Sequence, residues 1–61
     1  MTPKEAKAIV KKWNRRTKAV WDPPTYHWAI VLQGARYVRQ IAFGVTEGEA
    51  WVNAAKSLSG T

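Results

Sequence analysis

The chain has 61 residues, four Trp, two Tyr, one Phe, no Cys and a formal net charge of +6. It reads as one small domain over 1–61, stabilised by aromatic packing rather than by disulfides or thiolate-bound metal. No apolar run approaches the roughly 20 residues that cross a bilayer, and the first twenty positions are too charged for a signal-peptide core. A cytoplasmic protein with no membrane partner is therefore expected.

Charge is concentrated early, with seven of the ten Lys and Arg in the first eighteen positions. Thr2-Pro3-Lys4-Glu5 carries three agreeing helix-start signals: a Thr N-cap, Pro in the first turn and Glu three residues after the cap. The helix is expected to run from Pro3 to about Trp21, where Pro23 and Pro24 disfavour helical geometry in the residues before them. At 100° per residue, Ala6, Ile9, Val10, Trp13, Thr17, Val20 and Trp21 form one apolar stripe about 120° wide, facing the core. Lys4, Lys7, Lys11, Arg15 and Lys18 fall on the other side as a continuous basic row.

From Tyr26 to Phe43 the sequence turns to β-branched and aromatic residues interrupted by Gly34, a hairpin pattern. A two-residue Gly34-Ala35 turn would pair Leu32 with Tyr37, Ile30 with Arg39, Trp28 with Ile41 and Tyr26 with Phe43. That register gathers Tyr26, Trp28, Ile30, Leu32, Tyr37, Ile41 and Phe43 on a core face. It leaves His27, Ala29, Val31, Gln33, Arg36, Val38, Gln40 and Ala42 on the other. Arg39 is the odd residue on the aromatic side.

Thr46-Glu47-Gly48-Glu49 is a second capping box, with Val45 placed to staple against Ala50. A helix is expected from Glu47 to about Ser59, with Ala50, Trp51, Ala54, Ala55 and Leu58 inward and Gly60 as its stop. The fold class is α+β, a two-layer α-β-β-α domain with a hairpin packed against two helices that bury Trp13, Trp28 and Trp51 together. A two-stranded sheet leaves both edges open. Homodimerisation into a four-stranded sheet is one expected solution.

Catalytic residues are scarce. One His, one Asp and three Glu offer no spacing suited to a metal or an acid–base pair, and Glu5 and Glu49 are already used as caps. His27 reads as a polar strand residue and Asp22 as a turn residue. Gly34, Gly44, Gly48 and Gly60 match no phosphate-binding loop. The chain is expected to be non-enzymatic and to use no cofactor.

The better candidate is the basic surface. Lys4, Lys7, Lys11, Arg15 and Lys18, helped by Arg36, could follow a phosphate backbone, and the ordinary counter-reading is a solvated helix face. Gln33, Arg36, Gln40 and His27 on the outer sheet face are residue types able to read base edges. Exposed aromatics could instead stack single strands.

The stretch Tyr26 to Leu58, with Thr46-Glu47-Gly48-Glu49-Ala50 entering a helix, is similar in pattern to AP2-type and integrase arm-binding domains. The resemblance implies DNA reading by a small sheet backed by a helix, with one strand fewer and an added N-terminal helix. Gly44-Val45-Thr46 through Asn53-Ala54 also resembles the last strand-to-helix segment of HicB-type antitoxins. The element order resembles double-stranded-RNA-binding domains, but without their third strand or the lysines at the helix start. The function expected is nucleic-acid binding, to DNA before RNA. The alternative is a protein-interaction module, an inhibitor or adaptor, that takes an acidic protein surface.

Overall fold

The computed structural model describes residues 1–58, so the expected Ser59 helix end and Gly60 stop lie outside the described residues. Helix α1 spans Pro3–Trp13, strands β1, β2 and β3 span Thr17–Asp22, His27–Gln33 and Val38–Gly44, and helix α2 spans Glu47–Leu58. The strands form one antiparallel sheet in the order β1-β2-β3. An α+β domain with a hairpin against two helices is what the residues build, with one more strand than expected.

The extra strand replaces the second half of the long helix. Asn14 leaves helical geometry with φ −158° and ψ 114°. Its side-chain oxygen then accepts from the Arg16 amide at 2.9 Å, and its carbonyl accepts from the Thr17 hydroxyl at 2.8 Å. Asn offers the backbone this alternative to helix two residues on. Beyond that turn, Thr17-Lys18-Ala19-Val20-Trp21-Asp22 alternates as a strand. Thr17 is buried and Lys18 exposed, while Ala19 packs on the core cluster.

Both helices are capped as expected. The Thr2 hydroxyl accepts from the Glu5 amide at 3.2 Å and the Thr46 hydroxyl from the Glu49 amide at 3.1 Å. The Val45 staple does not form, since Val45 is exposed while Ala50 is fully buried. Helix α2 packs on β3 and β2, and α1 packs on α2. Two glycines allow the close approach. A Cβ on Gly44 would lie 2.6 Å from the Ala50 amide nitrogen, and one on Gly48 would lie 2.9 Å from the Pro3 ring. The two helices therefore start side by side.

The core comprises Ala6, Val10, Ile30, Ala50, Trp51, Ala54 and Ala55, with Ala19, Trp28, Ile41, Ala42, Val52 and Leu58 packed against it. Trp51 is buried and Trp28 half-buried, but Trp13 is 51% exposed. Helix α1 ends at Trp13 and packs chiefly on α2 rather than on the sheet, which leaves that ring half in solvent. Trp21 likewise sits at the sheet rather than in a helix stripe, its ring 5.5 Å from that of Trp28.

The β2–β3 register differs from the two-residue turn. Gln33 pairs with Val38 and Leu32 with Arg39 around a four-residue loop, Gly34 to Tyr37. The Gly34 amide donates to the Tyr37 carbonyl at 2.8 Å. Gly34 serves close approach here, because the Tyr37 ring occupies the space a Cβ would need. The register then shifts between Ile30 and Val31, pairing Ile30 with Ala42 and Val31 with Gln40. Ile41 is the extra residue of a β-bulge.

That single insertion corrects two of the expected faces. Ala42 joins Ile41 against the core, and Phe43 turns to the outer side, where it is 56% exposed. Tyr26 and Tyr37, also expected inside, lie in the two loops and are exposed. Arg39 lies opposite half-buried Leu32, but β3 is an edge strand and its side chain reaches solvent.

Candidate nucleic-acid interface

The six residues singled out from the sequence do not form one row. Lys4, Lys7 and Lys11 lie on α1, Arg15 lies in the turn after it, Lys18 is on β1 and Arg36 is in the β2–β3 loop. The break at Asn14 divides the set. Two of the helical lysines are also engaged inside the fold: the Lys7 and Lys11 ammonium nitrogens each lie 5.7 Å from the centre of the Trp51 ring. Lys11 additionally donates to the Thr17 carbonyl. A cation within about 6 Å of an indole face is attracted by the ring's quadrupole, so these two side chains help close α1 over α2.

The fold assembles a different basic surface. The Gln33 backbone N–H donates to the Arg16 carbonyl at 3.3 Å, and Lys18 pairs with Val31, which pairs with Gln40. The start of β1, the end of β2 and the start of β3 therefore lie together. At that end are Arg15, Arg16, Lys18, Arg36 and Arg39, all exposed. The last turns of the two helices add Lys12 and Lys56.

All four carboxylate side chains lie toward the opposite end. Glu5 is in the first turn of α1, and Glu47 and Glu49 are in the first turn of α2. Asp22 closes β1 opposite His27. Helix dipoles account for part of this polarity, because acids favour helix starts and bases favour helix ends. They do not account for Arg15, Arg16, Lys18, Arg36 and Arg39, which belong to no helix.

Neither helix covers the outer face of the sheet. Alternation from buried Thr17 and Ile30 places Lys18 and Val20 of β1, His27, Ala29, Val31 and Gln33 of β2, and Val38, Gln40 and Phe43 of β3 on that side. Ala29 and Val31 are buried by their sheet neighbours yet lie outside the helix-packed cluster. The face is graded, basic and amide-bearing at one end, apolar across Val20, Ala29 and Phe43, and acidic at Asp22. Sequence reasoning picks out Gln33, Gln40, Arg36 and His27 there. It misses Arg16, because the helix assignment hides β1.

Among the described residues no helix is long and apolar enough to cross a membrane. No protein-family model, curated protein or solved structure matches this chain.

Proposed function

We propose that this is a non-enzymatic DNA-binding protein that engages the phosphate backbone with the basic end of its sheet, Arg15, Arg16, Lys18, Arg36 and Arg39. The observation that carries the reading is that two separate stretches, 15–18 and 36–39, bring these five exposed bases to one end of the sheet, whose outer face neither helix covers. Bases so grouped raise the local concentration of a polyanion and release its counterions on contact. Gln33 and Gln40 on the same face supply amides suited to base edges. Thr17–Asp22 also provides the strand that the AP2-type pattern needs, so β1 through α2 has that order of three strands and a helix.

A protein-interaction module remains the second reading, favoured by one observation. Ile9 and Trp13 lie one helical turn apart on α1 and are 44% and 51% exposed, an apolar pair next to basic Lys12. The two readings separate by titrating labelled duplex DNA, single-stranded DNA, RNA and polyglutamate at two salt concentrations. Nucleic-acid affinity in the range of roughly 10⁻⁴ to 10⁻⁶ M that weakens with salt, and exceeds that for polyglutamate, supports the DNA reading. Equal or tighter binding of polyglutamate contradicts it.

A further inference from the structure

The outer sheet face carries a concavity of about 340 Å³ lined by Asp22, Thr25, His27, Ala29, Gln40 and Phe43. Its floor exists because Ala29, on the central strand, has only a methyl group to offer. One wall is the Phe43 ring, brought to this side by the bulge at Ile41. The other is the β1–β2 turn, where Asp22 accepts from the Thr25 hydroxyl at 3.0 Å.

The polar groups lining it are the Asp22 carboxylate, an acceptor, the Gln40 amide, which both donates and accepts, the Thr25 hydroxyl and the His27 ring. The His27 Nδ1 lies 2.5 Å from the Thr25 carbonyl. A carbonyl can only accept, so Nδ1 is the donor in this contact and the ring is oriented by the turn. Asp22 keeps carboxylate lone pairs beyond the one used by Thr25. An aromatic face beside a carboxylate suits a flat heterocycle with adjacent N–H donors. It does not suit a phosphate, which the Asp22 charge repels.

We propose that this concavity receives one unpaired guanine of a single strand, stacked on Phe43, with its N1–H and exocyclic amine donating to the Asp22 carboxylate. The inference rests on the reading of the sheet face as a nucleic-acid surface and assigns that surface its base. Lys18 stands four residues along β1 from Asp22, about 13 Å at strand rise, so the neighbouring phosphates of the same strand fall towards the basic end. In duplex DNA the guanine edge in question is occupied by cytosine, which makes the site selective for unpaired strands.

The test titrates the full chain with labelled oligo-dT strands that carry one central guanine, inosine or adenine, and with the matching guanine duplex. The guanine strand should bind about tenfold tighter than the adenine strand, from stacking and paired hydrogen bonds together. Inosine, which lacks the exocyclic amine, should lose most of that preference. Asp22→Asn should abolish the difference between guanine and inosine while leaving oligo-dT binding in place. Ala29→Leu, which fills the floor, should abolish it independently. Equal binding of the three strands, or a guanine preference that survives Asp22→Asn, overturns the base site alone. Absence of binding by every strand overturns it together with the nucleic-acid reading.

Discussion

The Lys11 ammonium lies 5.7 Å from the centre of the Trp51 ring while donating to the Thr17 carbonyl. One side chain thus joins α1, α2 and the start of β1. A residue that sequence periodicity assigns to a binding row is in this way part of the packing between the helices and the sheet. Lys11→Ala is expected to lower stability by about 1 kcal/mol, from a lost cation–π contact and hydrogen bond. Single-strand DNA affinity should change less than twofold. Urea unfolding and a DNA titration of the same variant check both.

Of Trp13 and Ile30, both expected in the core, only Ile30 is there. Trp13 is half-exposed at the end of α1 and Ile30 is fully buried at the sheet centre. Trp13→Ala should cost about 1 kcal/mol or less, in keeping with a surface position, whereas Ile30→Ala should cost about 2 to 5 kcal/mol. Denaturant midpoints give the order directly.

Gly44 and Gly34 both lack space for a Cβ, but for different reasons. At Gly44 the obstacle is the Ala50 backbone nitrogen, 2.6 Å away, and at Gly34 it is the ring of Tyr37, a residue 60% exposed. Backbone cannot move aside and an exposed ring can. Gly44→Ala should destabilise by about 1 to 3 kcal/mol through overpacking, and Gly34→Ala by far less, as thermal unfolding of the pair will show.

Tyr26 is the one described non-glycine residue with positive φ, at 55°, closing the turn in which the Thr25 and Tyr26 amides donate to the Asp22 and Pro23 carbonyls. Left-handed geometry costs an L-residue roughly 1 to 2 kcal/mol. Tyr26→Gly should therefore raise the melting temperature, less the added entropy of an unfolded glycine.

Much of this fold is legible in the residues. Thr2 and Thr46 announce both helices, and the strands Trp28 to Gln33 and Val38 to Phe43 appear in outline. Two local events are harder to read. Thr17, Val20 and Trp21 fit a helical stripe as well as Thr17, Ala19 and Trp21 fit a strand, and only the turn chemistry of Asn14 distinguishes them. The bulge at Ile41 has no glycine to mark it, so the exchange of Ala42 and Phe43 between faces comes from packing on α2 rather than from alternation. The site suffers most from both events. Lys18 and Arg36 stand out as bases in the sequence, but bringing Arg15, Arg16 and Lys18 to the same end of the sheet as Arg36 and Arg39 depends on β1 being a strand.

The central claim is that binding lies at the basic end of the sheet and not along α1. The most direct measurement is the salt dependence of single-strand DNA affinity for Lys18→Ala/Arg36→Ala beside Lys4→Ala/Lys7→Ala. Each lost phosphate contact should flatten the log–log slope by about 0.7. The account predicts a slope reduced by about 1.4 for the sheet pair and an unchanged slope for the helix pair. A flattened slope for the helix pair with the sheet pair unaffected would contradict it.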